Sequence, residues 1–279
     1  MSTAFSVLLS VYQGDDPAQL DAALASCFQQ TREPDELLIV EDETLTEPLD
    51  AVLDSWARDR PEQVRRHALS ENRGLGEALR AGVRECRHPL VARFDADDIN
   101  VETRFEKQCA YMAAHPEVDV LGGYIAEFTD DPETPHSRRE VPTAHDDIRR
   151  RARFRNPFNH MTVMFRRKAV LSADNYRSVM PLEDYDLWVR LLCDGATVRN
   201  LPEVLVKVRA GDEMIARRGG LAYARADASL QWEFYRRGFI SLPVLLLNLA
   251  TRVPIRLVPG SLRRRLYTAV AREPAAKID

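Results

Sequence analysis

The sequence predicts an α/β fold, with a mostly parallel central sheet flanked by helices, a mixed second half and a C-terminal helical tail. Apolar runs alternate with helical patterns through the first 116 residues, and polar side chains follow several of those runs. With 279 residues, 45% of them apolar and 29% charged, the chain can bury a sizeable core. Its net charge of −4 excludes a disordered chain or one that coats nucleic acid.

The first apolar run, FSVLLSVY at residues 5–12, is typical of a strand that is covered on both faces. Asp16 then suits a helix N-cap, and Pro17 suits the first helical turn. Apolar residues recur along one face of that predicted helix at Leu20, Ala23, Leu24, Cys27 and Phe28. These two segments therefore predict the first strand and helix of an alternating fold.

Further strands and helices follow at similar intervals. The pattern predicts strands at 35–42 and 64–69, a helix over 74–86, a strand ending in PLVARFD, and a helix ending near Pro116. Such alternation favours a parallel, doubly wound sheet, in which ligands bind beyond the carboxyl ends of the strands. After Pro116 the alternation breaks, and the segments at 118–128 and 159–167 indicate a mixed half.

The C-terminal tail combines apolar and basic residues. Residues 241–279 carry seven basic and two acidic groups, whereas the whole chain is net negative. The longest uncharged run at this end of the chain, residues 238–251, has fourteen residues, fewer than the roughly 20 that a membrane-spanning helix needs. Two explanations remain, a segment that lies in a membrane surface or a helix that packs on the main domain.

The cysteines and the N-terminus indicate a reducing, cytoplasmic environment. Cys27, Cys86, Cys109 and Cys193 lie far apart with no C-x-x-C spacing, so we expect small, buried core residues. The N-terminus lacks the basic region and the long apolar run of a signal peptide.

Three aspartates crowd the end of the predicted strand PLVARFD. Asp95 and Asp97 have the D-x-D spacing of a carboxylate pair that can hold Mg²⁺ or Mn²⁺ against a nucleotide diphosphate. Tyr12 and Asp42 follow the first and second strands, so they should lie at the same edge, although each could be only a cap or turn residue. Crowded like charges need solvent or a counter-charge, so the alternative is a solvated turn in which Asp98 caps the next helix.

A second acidic group begins the predicted helix LEDYDLWVRLL. Glu183 and Asp184 occupy its first turn, where carboxylates are favoured by the helix dipole without any catalytic role. Asp184 is a candidate general base only if this helix faces the predicted metal site.

Several further candidates each have a structural alternative. Asn72 precedes a helix N-terminus, where it can help to bind an anion or simply cap the helix. Arg217 and Arg218 suit bidentate contacts with a diphosphate, but a solvated loop would also hold them. His160 lies beside an apolar strand, where a histidine is usually structural. The basic run at 149–155 is typical of a solvated helix face, its alternative being contact with a lipid pyrophosphate.

Seven segments carry a family resemblance in one order along the chain: FSVLLSVYQGD, LLIVEDET, ENRGLGEALRAGV, ARFDADDINVETRFEKQ, NPFNHMTVMFRR, LEDYDLWVRLL and VRAGDEMIARRGG. Over residues 5–220 the chain resembles the family 2 glycosyltransferases with the GT-A fold. In particular it is similar to bacterial members that assemble exopolysaccharide and O-antigen repeat units.

The resemblance implies roles for the matched positions. It implies a nucleotide site that comprises Val11, Tyr12 and Asp42 at the base and Asp95 near the ribose. It also implies that Asp97 ligates Mn²⁺ or Mg²⁺ and that Asp184 is the catalytic base, with Glu183 and His160 in support. The chain departs from the common family pattern beside the nucleotide site, at Ser10, Glu41 and Glu43.

The implied function is inverting, metal-dependent transfer of a sugar from a UDP-sugar to a lipid-linked oligosaccharide, with no nucleic acid partner. Residues 1–116 would bind the nucleotide-sugar, 117–235 would bind the acceptor and carry the base, and 236–279 would form a basic amphipathic tail. That tail would hold the protein on the inner face of the cell membrane. The residues alone also permit a metal-dependent phospho- or nucleotidyl-transferase, or a non-catalytic, membrane-peripheral binding protein.

Overall fold

Four parallel strands form the first half of the sheet, in the order β3-β2-β1-β4. The computed structural model describes residues 3–179, 181–210, 219–258 and 273–274. The four strands are β1 (Phe5–Val11), β2 (Glu36–Glu41), β3 (Val64–Ala68) and β4 (Leu90–Phe94). The helices between them are α1 (Pro17–Phe28), α2 (Glu47–Asp59) and α3 (Leu75–Glu85). The predicted mostly parallel, helix-flanked sheet is therefore confirmed.

The parallel strands are buried on both faces because their alternate side chains enter two separate cores. Leu8 and Leu38 pack on the side of α3, whereas Val7 and Leu9 pack on the side of α1 and α2. Asp16 caps α1 as predicted, since its Oδ1 accepts hydrogen bonds of 2.9 Å from the two backbone N–H groups inside the first turn.

The second half of the sheet is mixed. Its strands are β5 (Ile99–Asn100), β6 (Val118–Phe128), β7 (Ser137–Arg139), β8 (Met164–Arg166), β9 (Thr197–Arg209) and β10 (Glu273–Pro274). Strand β8 lies antiparallel between β4 and β6, and β7 and β10 extend the sheet beyond β6. Strand β9 runs parallel to β6 and antiparallel to β5. One sheet thus passes through both halves of the chain.

Six helices complete the described fold: α4 (Arg104–Ala114), α5 (His145–Ala152), α6 (Arg167–Ser172), α7 (Glu183–Cys193), α8 (Leu221–Arg236) and α9 (Leu242–Leu257). Helix α7 is buried along most of its length, and its aromatic residues Tyr185 and Trp188 enter the core on the side of α3. Helices α8 and α9 pack against each other.

Two sequence expectations about single residues are wrong. Cys193 is exposed rather than buried, because it ends α7 where the helix reaches the surface. Asp98 does not cap the next helix, because α4 begins only at Arg104 and the Asp98 side chain turns inward to the backbone N–H of Arg209. The other three cysteines are buried, as expected.

Candidate active site

The ends of β1, β2 and β4 meet at one edge of the sheet because the strands are parallel. Val11 ends β1 and is buried, and its carbonyl oxygen accepts a 2.8 Å hydrogen bond from the backbone N–H of Asp42 at the end of β2. Tyr12 follows with 41% of its surface exposed. Asp95 follows β4 directly. The structure therefore brings these four predicted residues to the same edge.

Asp42 is held by the loop that leads into α3. Its Oδ1 accepts a 2.9 Å hydrogen bond from the backbone N–H of Arg73, and burial raises the pKa of its carboxyl group. Asn72 accepts from the backbone N–H of Gly74 at 3.1 Å and donates to Glu43 Oε1 at 2.9 Å. Asn72 thus orders the loop before α3 but does not cap the helix, because the N-cap is Gly74, and its contact with an anion stays a prediction.

The three aspartates after β4 have different environments. Asp95 is partly exposed and paired with Arg93, whereas Asp97 is exposed. Desolvation by the surrounding protein and the charge of Asp95 raise the pKa of Asp97 to about 6. Asp98 is buried, and its Oδ1 accepts a 3.0 Å hydrogen bond from the backbone N–H of Arg209. Within the described residues, Asp98 Oδ2 has no hydrogen-bond partner.

The counter-charge that the aspartate cluster requires is Arg93, a residue that the sequence analysis does not single out. Its side chain is buried, and its two terminal nitrogens contact the two carboxylate oxygens of Asp95. A signal was present in the sequence, because an arginine inside an apolar strand needs a buried partner. Its partner, Asp95, lies only two residues further along the chain, directly after β4.

The first turn of α7 supplies the second acidic group. Glu183 is buried, and this burial together with the charge of Asp184 raises the pKa of Glu183 to about 7. Asp184 Oδ2 accepts a hydrogen bond from Asn156 Nδ2 and lies 4.0 Å from His160 Nδ1. Helix α7 therefore presents one protonatable and one hydrogen-bonded carboxyl group.

His160 links this turn to a buried tyrosine. Its Nε2 lies 2.9 Å from the hydroxyl of Tyr176, and the two rings are 5.6 Å apart. Burial and the nearby charge of Arg93 lower the pKa of His160 well below its ordinary value. His160 is therefore neutral at physiological pH and forms no charged pair with Asp184. The contact with Tyr176 was not predicted, because the two residues belong to different segments whose packing the sequence does not show.

The two acidic groups lie within electrostatic range of each other. The charge of Asp95 adds to the rise in the pKa of Glu183, and Arg93 opposes it. The start of α7 also approaches α3, because a Cβ atom on Gly76 would lie 2.7 Å from the carbonyl oxygen of Arg177 and 3.3 Å from Glu183 Cβ. That Asp184 faces the D-x-D segment, the condition for its role as a base, stays a prediction.

Some predicted residues are not joined to this site. Arg217 and Arg218 lie outside the described residues. In the basic run, Arg149 donates a 2.7 Å hydrogen bond to the carbonyl oxygen of Leu192, so it ties α5 to α7 rather than facing only solvent. Among the residues that the structure describes, no three acidic, histidine or cysteine side chains converge as a complete metal site.

The available carboxylates still fit a divalent cation. Mg²⁺ is usually bound by one or two carboxylates together with phosphate oxygens of the substrate, rather than by a full set of protein ligands. Asp97 is exposed at the sheet edge beside Asp95, and the orphan oxygen of Asp98 lies in the same segment. These hard oxygen donors match what Mg²⁺ or Mn²⁺ prefers.

Helix α9 is charged on the side that packs and apolar on the side that faces outward. Arg252 Nε and Arg256 Nε contact the two oxygens of the buried Asp227 at 2.9 Å and 3.3 Å. The exposed large side chains of this helix are all leucines, Leu242, Leu246, Leu247 and Leu257. The expected packed helix is therefore present on the inner side. Across the described segments, no helix is both long and apolar enough to cross a membrane.

Comparison with known proteins gives consistent matches. Residues 6–173 match the family described as Glycosyl transferase family 2. The amylovoran biosynthesis glycosyltransferase AmsE of Erwinia amylovora is 41% identical over 266 residues, which cover 94% of this chain and 97% of AmsE. An Escherichia coli UDP-Gal:α-D-GlcNAc-diphosphoundecaprenol β-1,3-galactosyltransferase is 37% identical over 96% of both chains. The mannosyltransferase PcManGT from Pyrobaculum calidifontis, solved with GDP-Man and Mn²⁺, gives a TM-score of 0.64 at 15% identity, covering 97% of this chain and 76% of PcManGT.

Proposed function

This chain belongs to glycosyl transferase family 2 and has the GT-A fold, and on that basis we propose that it transfers a sugar from a UDP-sugar to a saccharide on a polyprenyl diphosphate lipid. The donor and acceptor classes are those in the name of the E. coli relative. Saccharides on such lipids are intermediates of surface polysaccharide synthesis, so we assign the enzyme to that process.

The observation that carries the proposal is the electrostatic link between the first turn of α7 and the D-x-D segment, since the charge of Asp95 acts on Glu183, the neighbour of Asp184. Parallel strands bring Tyr12, Asp42 and Asp95 to one edge, and we infer that α7 faces the same edge. A phospho- or nucleotidyl-transferase built on the D-x-D segment alone would have no use for this helix. A sugar transferase needs both parts, because the donor and the attacking hydroxyl must meet.

We assign the base to Asp184. Its carboxylate would accept the proton of the acceptor hydroxyl while that oxygen bonds to the anomeric carbon and the diphosphate leaves with the electron pair. Attack from the face opposite the diphosphate inverts the anomeric centre. Asn156 supports this role, because its side-chain amide donates a hydrogen bond to Asp184 Oδ2. His160 lies beside the same carboxyl group, with its Nδ1 at 4.0 Å. Glu183, whose pKa is raised to about 7 by burial and by the charge of Asp184, is the other candidate base, and the Glu183→Gln variant tests it.

We assign the cation to Asp97, with Asp95 beside it. Bound Mn²⁺ or Mg²⁺ would supply Lewis-acid stabilisation of the charge on the departing diphosphate. The solved relative with Mn²⁺ supports this choice only through its fold. Asp97 contributes a carboxylate whose pKa is raised to about 6 by desolvation and by the charge of Asp95, and a bound cation would offset both.

We assign the nucleotide to the edge formed by the first half of the chain. Val11, Tyr12 and Asp42 would contact the base, and Asp95 the ribose, because they lie at the ends of adjacent strands. Residues 1–116 would hold the donor, and residues 117–235 would hold the acceptor and the base. A contact of Arg217, Arg218 or Asn72 with the diphosphate stays a prediction.

We assign the outer face of α9 to the cytoplasmic surface of the cell membrane. Its exposed leucines need an apolar partner, and the excess of basic over acidic residues in 241–279 suits anionic lipid. A lipid-linked acceptor would be reached from that surface. The tail therefore has two sides, one for the domain and one for the membrane.

The test is a transfer assay with the purified chain, Mn²⁺, a panel of UDP-, GDP- and TDP-sugars, and a GlcNAc-diphosphate acceptor on a short lipid. We expect a product heavier by one sugar, with UDP-sugars preferred, inverted anomeric configuration by NMR, and loss of activity in EDTA that Mn²⁺ restores. A nucleotide in the product would indicate nucleotidyl transfer. Absence of any product across the panel would contradict the proposal.

A further inference from the structure

The buried Arg93 has no role in the chemistry above, although it touches the D-x-D segment. Residues two apart on a strand project from the same face, so Arg93 and Asp95 form their pair within β4 and its end. Each terminal nitrogen of Arg93 contacts a different oxygen of Asp95. A planar guanidinium that holds both oxygens fixes the direction of a carboxylate, which a single contact does not.

Stability alone gives a poor account of this arginine. Val91, two residues earlier on the same face of β4, lies in the apolar core. Replacement of both partners of a buried ion pair by apolar residues is often neutral or stabilising, so apolar residues at positions 93 and 95 together would serve the fold at least as well. Within the described residues, Arg93 Nε also lacks a hydrogen-bond partner. The side chain is therefore better explained by what it does to Asp95.

The position of Arg93 also places it between the two halves of the site. Its charge acts on His160 and Glu183 on one side and on Asp95 and Asp97 on the other.

We propose that Arg93 is a positioning residue, which holds both oxygens of Asp95 and thereby directs this carboxylate toward the ribose of the donor. The inference rests on the proposed function, because it requires Asp95 to contact a nucleotide. It assigns no contact between Arg93 and the donor. Its effect should therefore disappear when Asp95 can no longer act.

The experiment is a double-mutant cycle on nucleotide binding. Arg93→Met, Asp95→Asn and the double variant are titrated by calorimetry with UDP and Mn²⁺, or with GDP or TDP if the wild type binds that nucleotide instead. We expect Arg93→Met to weaken binding about tenfold, the size of one charge-assisted contact. The double variant should bind within about twofold of Asp95→Asn alone, because coupled residues are not additive.

Arg65 provides a matched control. It pairs with the buried Glu36 at the opposite end of the same sheet, so Arg65→Met removes a similar ion pair far from the site. It should lower the Tm without changing nucleotide affinity or the donor KM. Arg93→Lys keeps the positive charge but loses the planar guanidinium that contacts both oxygens of Asp95, so its nucleotide affinity should be intermediate. This variant replaces Arg93→Met in the cycle if Arg93→Met does not fold.

Three outcomes separate the inference from the proposed function. Folded Arg93 variants with wild-type affinity and donor KM would overturn the positioning role and leave glycosyl transfer intact. Additive losses in the double variant would show that Arg93 acts independently of Asp95, which also overturns it. A wild type that binds none of the nucleotides would overturn the proposed function itself.

Discussion

Two clusters of charge in this protein have opposite balances. The D-x-D cluster comprises Arg93, Asp95, Asp97, Asp98 and Glu183, and the tail cluster comprises Asp227, Arg252 and Arg256. In the first, four carboxyl groups accompany one arginine, and desolvation together with neighbouring carboxylates raises the pKa values of Asp97, Asp98 and Glu183. In the second, two arginines converge on one carboxylate. A cluster with an excess of carboxyl groups can receive a cation, whereas one carboxylate shared by two arginines joins two helices.

The largest effect is expected on catalysis, when the proposed base beside the D-x-D cluster, Asp184, is replaced. Asp184→Asn should lower kcat by about 10² to 10⁴ and leave the donor KM within a few-fold, because an amide keeps the shape but cannot accept the proton. Steady-state kinetics measure both constants. Glu183→Gln is the control: an inactive Glu183→Gln beside an active Asp184→Asn would mean that the two roles are exchanged.

The tail cluster should respond in stability rather than in chemistry. Asp227→Asn leaves Arg252 and Arg256 buried without their shared carboxylate, and loss of one partner from a buried pair typically costs about 3 to 5 kcal/mol. Denaturant unfolding measures this loss, and the donor KM of the folded fraction should not change. If Asp227→Asn has the same unfolding midpoint in denaturant as the wild type, the cluster does not stabilise the tail.

A smaller effect is expected at the exposed edge of the D-x-D cluster. Asp97→Asn should weaken Mn²⁺-dependent nucleotide binding about tenfold, because one charged ligand is lost, and the fold should be unchanged because the residue is exposed. Calorimetry with and without Mn²⁺ measures the effect. Asp174→Asn is the matched control, because Asp174 is also exposed. Its backbone φ of 65° lies in the left-handed region, which asparagine tolerates as well as aspartate does. If the two variants bind alike, Asp97 is not the ligand.

The D-x-D cluster should also make the free energy of unfolding depend on pH. The pKa of Glu183 in the folded chain, about 7, lies above its ordinary value of 4.5, because burial and Asp184 disfavour the charged form. The folded chain therefore holds this proton more tightly, and the free energy of unfolding should fall as pH rises from 4.5 to about 7. Glu183→Gln should reduce that fall, whereas Glu62→Gln at an exposed position should not. Denaturant titrations at several pH values decide this.

The smallest change in stability is expected on the outer face of α9. Replacing exposed Leu246 and Leu247 with glutamine should alter the free energy of unfolding by about 0.5 kcal/mol or less, since neither side chain is buried. The same variant should lose binding to vesicles that contain anionic lipid, measured by sedimentation. Replacement of Ala250 and Thr251 by glutamine, also exposed on α9, is the control. Equal vesicle binding by wild type and the leucine variant would contradict the membrane contact.

Much of the first half could be predicted from the sequence because its signals are local. Apolar runs fix β1 and β4, and Asp16 with Pro17 fixes the start of α1. Strand β9 was not predicted, because Pro202 and alternating polar residues obscure its pattern. Its pairing with β6 also contains register shifts that only tertiary structure reveals.

The candidate site was predictable in its carboxylates but not in what surrounds them. Motif spacing identifies Asp97 and Asp184, whereas the contact of His160 with Tyr176 and the support from Asn156 depend on how separate elements pack. The inward direction of Arg252 and Arg256 could not be predicted for the same reason, since arginines on a helix usually face solvent. Sequence patterns thus indicate which groups can do chemistry, and packing decides which of them are held in place.

The continuous sheet has a mechanical consequence for the reaction cycle. Strand β4 leads into the D-x-D segment, and its backbone is bonded on one side to β1 and on the other to β8. The strands of the first and second halves are therefore joined without a break, and a hinge between them would have to rupture that ladder. Donor and acceptor must instead enter a rigid platform, and movement during turnover must come from the loops around it.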